Sequence, residues 1–332
     1  MKAIVTTGPM TSRIEEIAEP VMNDDSVKIK LKYCGVCYSE HYDWKHNANG
    51  GAFGHEPMGV IVEVGKNVTG YAVGDRVSGL WGSTLPGAGG MVEYAVADPK
   101  NSTIVKLADT VRDEDAVLEP LSCLYSAVSK VRCSMVGTMV CVVGCGYMGC
   151  GAISLLKARG CYVVGVDIRE SSRQDALRYG ADLVMSPEEA LAEYAPKNYQ
   201  EGKMNGFEAV MEWGETNESL DTAIQLTRMC GQLCVGAYHT GEKRLVDMQT
   251  LNMMAIDLLS THPREGDLNT KGAVNAGKML GDGTWNFRNV PTMIYPMDKF
   301  DQAQADLETK YGRFMKSLIN MEMPTGEPYL AK

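Results

Sequence analysis

Residues 34–44 read CGVCYSEHYDW, with two cysteines separated by two residues and then a serine, a glutamate and a histidine. Such a strip suits half of a zinc knuckle, a redox pair, or one reactive thiolate beside a packing neighbour. No second pair at this spacing exists for a knuckle to join, and no thioredoxin-like context surrounds it. Further along, GHEPMG supplies His55 and Glu56, and LEPLSC supplies Glu119. A cysteine, a histidine and a carboxylate form a three-ligand set that zinc accepts, with a fourth position left for water or substrate. Ligands drawn from distant segments suit a catalytic ion at a cleft, whereas closed structural sites favour tight cysteine pairs.

A second chemistry-bearing stretch is VVGCGYMGCG, which sets Gly144, Gly146 and Gly149 in G-x-G-x-x-G order with Tyr147 and Met148 between them. It follows the apolar run TMVCVVG, opens the helical stretch YMGCGAISLLKARG, and leads to the apolar run CYVVGVD. In that βαβ context Gly144 makes the tight turn, Gly146 admits the pyrophosphate, and Gly149 lets helix pack on strand. The helix N-terminus then faces the phosphates. Asp167 ends the second apolar run, where a carboxylate accepts hydrogen bonds from the adenosine ribose and disfavours a 2′-phosphate. NAD is therefore the expected dinucleotide, with Ile168 and Arg169 beside it. Arg169 and Arg173 are the residues that would instead attract the phosphate of NADP.

The elements that must carry these residues differ along the chain. Up to about residue 120, SVKIKLKY, GVIVEVG, GDRVSGL and MVEYAVAD are short β-branched runs cut by glycines, as in a small barrel or folded sheet. From about 138, apolar runs alternate with helical stretches such as SSRQDALRYG, SPEEALAEY and NESLDTAIQLTRM. That alternation predicts a parallel sheet covered on both faces. After about 263 the pattern is mixed, with helices expected at NTKGAVNAGKML and near DKFDQAQADLE. The fold class is thus α/β, a β-rich domain plus a doubly wound parallel sheet.

Composition excludes several functions. A net charge of −10 over 332 residues argues against nucleic acid as a partner. The first twenty residues contain no apolar core of a secretory signal, and no run approaches the roughly 20 apolar residues that span a bilayer. A cytoplasmic protein with reduced cysteines is expected, and its ten cysteines and 21 methionines read mainly as core packing.

Taken together, Cys37 with Ser39, GHEPMGVIVEVG, VGDRV, LEPLSC and VVGCGYMG resemble, in order and spacing, the zinc-dependent medium-chain dehydrogenase/reductases. The glutamate of LEPLS looks most like the sorbitol and polyol dehydrogenase branch. The resemblance covers essentially the whole chain. It implies a GroES-like catalytic domain at 1–120 and 263–332, split around a Rossmann NAD-binding domain at 121–262. Cys37 and His55 would be core zinc ligands, completed by Glu56 or Glu119. Ser39 would start the proton relay, Cys123 would lie against the nicotinamide, and Trp81, with Trp44, would wall the substrate pocket. Arg264 would reach the cofactor or active site. From their position alone, at the end of QLCVGAY, Gly236 and Tyr238 are expected to edge the nicotinamide site.

Two departures stand out. The family's lobe of four close cysteines is missing from SGLWGSTLPGA, so no structural zinc is expected. The relay histidine usually falls where Tyr42 stands, leaving His41 one place early and His46 four late. The implied reaction is hydride transfer between NAD and a small secondary alcohol of the polyol, sugar or cyclitol kind. Alternatives are an NADPH-linked carbonyl reductase and a non-catalytic NAD-binding sensor. The resemblance also implies a homodimer or homotetramer built by strand pairing of nucleotide domains, with which the apolar run AIDLLST is consistent.

Overall fold

The computed structural model describes residues 1–47, 53–81, 90–133, 135–195, 205–241, 243–264 and 267–332. Most of SGLWGSTLPGA lies outside these residues. The chain divides into two compact units, one of Met1–Ser122, Thr270–Gly283 and Arg288–Lys332, the other of Cys123–Asn269 and Thr284–Phe287. Residues 263–269 and 284–287 therefore sit with the second unit rather than the first. Phe287 explains part of this, because its ring packs on Tyr147 and Tyr179 at centroid distances of 5.2 and 4.9 Å.

The first unit is built on an eight-stranded sheet whose hub is Val27–Gly35. That strand alternates as its charge pattern predicts, burying Val27, Ile29 and Leu31 while its lysines stay half-exposed. It pairs antiparallel with Pro57–Val64, with Tyr94–Ala97 and with Lys316–Asn320. Ile29, Leu31, Ile61, Val77, Tyr295, Phe300 and Ile319 form part of one apolar core. Burying each such side chain is worth roughly 1.5–3 kcal/mol. After Val36 the chain leaves the sheet through a 3₁₀ turn, Tyr38–Glu40, and a short helix, His41–His46. That helix stops at Asn47, which takes the left-handed conformation at φ 50°. The strands Thr292–Pro296 and Lys316–Asn320 were hidden in the mixed pattern, and DKFDQAQADLE is helical only at Phe300–Ala305, between 3₁₀ turns.

Six parallel strands make the second unit. In space they run Leu183–Met185, Tyr162–Val166, Met139–Val143, Phe207–Glu212, Thr227–Val235 and Asp257–Ser260. Numbered along the chain this is the order 3-2-1-4-5-6 of a doubly wound nucleotide fold. Cys141, Val143, Val164, Val166, Val210 and Leu233 fill one core, as continuous apolar runs require. The helix Asn217–Leu226 ends earlier than its sequence pattern, because Thr227 turns extended and begins the next strand. Among the described residues, no helix is long and apolar enough to cross a membrane.

Candidate active site

In the first unit the strand pairing does the positioning. Cys34 lies opposite Pro57, and the Gly35 amide donates to the Glu56 carbonyl at 2.8 Å. This register sets Cys37, at the entrance of the 3₁₀ turn, across from His55 and Glu56. One ligand atom from each of Cys37, His55 and Glu56 lies within 4.8 Å of the others. Gly35 permits the close approach, since a β-carbon there would stand 1.7 Å from Glu56 Oε2. A tetrahedral zinc shell with bonds of about 2.0–2.3 Å keeps its donors roughly 3.5 Å apart, so this sulfur, nitrogen and oxygen set fits zinc after a small contraction. Glu119 is not in the converging set. It lies half-buried in the first turn of Leu118–Ser129, and its charge acts on Lys316.

Two further side chains brace the three. Glu40 Oε1 accepts the Gly54 amide at 2.8 Å and faces His55 Nδ1 at 2.8 Å, which leaves Nε2 to meet an ion. Burial by itself would lower the His55 pKa. Hydrogen bonds to Cys37 and Glu40, with the charges of both, outweigh it and hold the imidazole above its ordinary value. Lys316 forms an ion pair with Glu56 and donates to the Val36 carbonyl at 3.2 Å. Both side chains are buried, with 8% of Lys316 and 1% of Glu56 exposed. Burial works against the ammonium, but Glu56 and then Cys37 raise its pKa, so it stays charged. Ser39 Oγ donates to Cys37 Sγ at 3.2 Å, which puts a hydroxyl on the sulfur of the converging set. Cys34 is different: burial pushes its thiol up to about 12, and it serves packing.

The neighbouring aromatic residues are tied elsewhere. His41 is buried, with Nε2 at 3.1 Å from Glu308 Oε1 and its ring stacked on Tyr38. Trp44 packs beside it and donates its Nε1–H to Asp301 Oδ1 at 2.8 Å. His46 Nδ1 pairs with the Tyr42 carbonyl at 2.8 Å. The hydrogen-bond partner of His41 is thus Glu308 and not Ser39. Trp81 is buried directly after Arg76–Leu80.

The sequence reading gave Glu40 no role beyond its place in the strip and missed Lys316. The signal for Glu40 was present, since a carboxylate three residues past a cysteine ligand can orient the partner histidine. Glu40→Gln is expected to lower zinc affinity by about 10- to 100-fold, which a competition titration with a chelating dye would measure.

In the second unit, the carboxyl ends of the parallel strands share one edge, where open α/β sheets bind ligands. Gly144 turns there at φ 92°, and a β-carbon on Gly149 would stand 1.9 Å from the Gly144 carbonyl oxygen. Gly146 precedes the helix Tyr147–Ala158 and has open space where a β-carbon would be, as the cradle for a pyrophosphate demands. Tyr147 and Met148, half-buried, begin that helix.

Asp167 directly follows the adjacent strand, Tyr162–Val166. Its Oδ2 accepts the Cys145 amide at 2.8 Å, Oδ1 accepts the Arg169 amide at 2.9 Å, and the Arg169 guanidinium pairs with it at 3.2 Å. Ile168, beside it, is 73% exposed. Gly236 and Tyr238 follow the end of Thr227–Val235, Arg264 follows Asp257–Ser260, and Cys123 lies half-buried on Leu118–Ser129. Glu212, buried at the end of Phe207–Glu212, was not anticipated. It takes the Gly214 and Glu215 amides and the Ser219 hydroxyl on one oxygen and His239 on the other, fixing the turns at this edge.

Comparison with known proteins gives a consistent result. The family described as "Alcohol dehydrogenase GroES-like domain" matches residues 23–109, and that described as "Zinc-binding dehydrogenase" matches 148–268. An alcohol dehydrogenase from Geobacillus stearothermophilus is 30% identical over 267 residues, covering 70% of this chain and 76% of its own. A sorbitol dehydrogenase from Halalkalibacterium halodurans is 28% identical, covering 70% and 75%. A solved structure from Sinorhizobium meliloti, bound to NADP, superposes with a TM-score of 0.79 at 19% identity, covering 96% of this chain and 98% of its own.

Proposed function

The chain belongs to the zinc-binding dehydrogenases that carry an alcohol dehydrogenase GroES-like domain, and from that premise we propose that it transfers hydride between a secondary alcohol and NAD. The substrate class is a polyol, sugar or cyclitol, and the compartment is the cytoplasm. The observation that carries the reading is the convergence of Cys37, His55 and Glu56, with the Ser39 hydroxyl on the cysteine sulfur. Zinc held by these three would supply a Lewis acid that acidifies a substrate hydroxyl. Ser39 takes the hydroxyl proton and passes it outward. Glu40 orients His55, and Lys316 balances the buried charge of Glu56. The glycine turn and Asp167 would hold the adenosine half of a nicotinamide cofactor, which would supply the hydride acceptor.

In this reading the first unit is the catalytic domain and the second the nucleotide domain. The sorbitol dehydrogenase relative supports a polyhydroxylated substrate. A homodimer or homotetramer would pair the exposed edge strand Asp257–Ser260 between copies.

NAD is favoured over NADP because the two arginines near the ribose position are committed. Arg169 pairs with Asp167, and Arg173 with Glu170 and the Asp167 carbonyl. Asp167→Asn is expected to raise the KM for NAD about tenfold without raising that for NADP, as steady-state kinetics with both cofactors would show. The reading as a whole is tested by metal analysis of purified protein and a screen of polyols, sugars and cyclitols with NAD. Protein that is free of zinc and still oxidises alcohols would refute it.

A further inference from the structure

Outside the site just described, the second unit brings two thiols together. Cys133 Sγ and Cys161 Sγ stand 2.7 Å apart, and both residues are free cysteines. A disulfide bond measures about 2.05 Å, so the sulfurs are within a short closing movement of bonding. Cys133 follows the helix Leu118–Ser129 and is half-buried, whereas Cys161, just before Tyr162–Val166, is buried.

The backbone on both sides is pinned. Gln232 accepts the Arg132 amide at 2.8 Å and donates to the Lys130 carbonyl at 3.1 Å. Arg159 donates to the Val128 and Val131 carbonyls. The Cys161 amide donates to Leu156 at 3.1 Å, and the Gly160 carbonyl accepts the Gly137 amide at 2.8 Å. Two thiols on such anchored segments meet without a backbone rearrangement, which is the geometric requirement for a bridge.

We propose that Cys133 and Cys161 are a reversible dithiol–disulfide site, oxidised by hydroperoxides. The Cys133 thiolate attacks a peroxide oxygen; a sulfur–oxygen bond forms, the oxygen–oxygen bond breaks, and hydroxide leaves. Cys161 then gives up its proton, its sulfur displaces the oxygen on Cys133, and water departs as the sulfur–sulfur bond forms. Two sulfurs are oxidised and one hydrogen peroxide becomes two waters. The order follows from access: Cys133 is reachable from solvent, and burial pushes the Cys161 thiol up to about 12. Lys157 and Arg159 oppose that shift and favour the thiolate as it forms. The bridge would span 28 positions of sequence and enclose Met139–Val143, the glycine turn and the helix Tyr147–Ala158. It is a latch around the nucleotide cradle, and it stands whether or not the proposed reaction does.

The test uses reduced full-length protein treated with stoichiometric hydrogen peroxide, alkylated, and digested without reductant. Trypsin cutting after Arg132 leaves Cys133 on the same peptide as Cys141, Cys145 and Cys150, so fragment ions must locate the bond. The expected result is a Cys133–Cys161 cross-link reversed by dithiothreitol, with a thermal midpoint raised by roughly 5 °C. Cys133→Ser protein, whose substitution is at the half-exposed position, should show neither change. Failure of the cross-link to form, or the same rise in midpoint in Cys133→Ser protein, overturns the proposal.

Discussion

Cys37→Ala protein is expected to purify without zinc and to lose alcohol oxidation by about a thousandfold or more. The substitution removes one of the three converging donors and also the acceptor that holds the Ser39 hydroxyl at 3.2 Å. A bound Lewis acid contributes several kcal/mol at the transition state, and each 1.36 kcal/mol is about tenfold in rate. Cys34→Ala is the matched control, three residues away and in the same strip. Its thiol is fully buried and protonated, so metal content and kcat should both survive, with only a packing loss. Metal analysis and steady-state kinetics on the pair decide the matter. Equal zinc content in the two proteins would remove Cys37 from the metal site.

Lys316→Met is expected to cost about 3–5 kcal/mol of stability in zinc-free protein, measured by denaturant unfolding. The reason is what remains: a Glu56 carboxylate that is 1% exposed and has lost its counter-charge. Lys316→Arg should recover much of the loss, and adding Glu56→Gln to Lys316→Met should recover most of it, since no charge is then stranded. Because the pairing raises the lysine pKa, its contribution is complete below the ordinary lysine value and fades only as pH climbs through the raised one. The deficit should therefore be constant across the neutral range. An additive double mutant would show that the two residues do not act as a pair.

The second unit was readable because a parallel sheet covered on both faces demands unbroken apolar runs, and Met139–Val143 and Tyr162–Val166 supply them. The glycine turn was readable because steric demands at Gly144 and Gly149 leave little choice of residue. Cys37, His55 and Glu56 could be suspected from residue type. Which carboxylate converges with Cys37 and His55 could not be read, because it depends on the register of Val27–Gly35 against Pro57–Val64.

Lys316 was invisible for a related reason. A single lysine in RFMKSLIN resembles one snorkelling to the surface, and only the pairing of Lys316–Asn320 with Val27–Gly35 turns it inward onto Glu56. His41 shows the opposite limit. Its type suits a proton relay, but an imidazole at that helical position faces Glu308 and Tyr38.

The strip that carries Cys37 is fastened at several points to residues beyond 300. His41 meets Glu308, Trp44 meets Asp301, the Val36 amide donates to the Ser317 carbonyl, and Glu56 meets Lys316. Contacts of such long sequence separation repay their loop-closure entropy only once the intervening chain is in place. A chain still emerging from the ribosome thus carries Cys37, His55 and Glu56 long before it carries the residues that fasten them. If Cys37, His55 and Glu56 hold zinc, a chain halted short of residue 316 would present them as an acidic, thiol-bearing strip with no lysine to neutralise it.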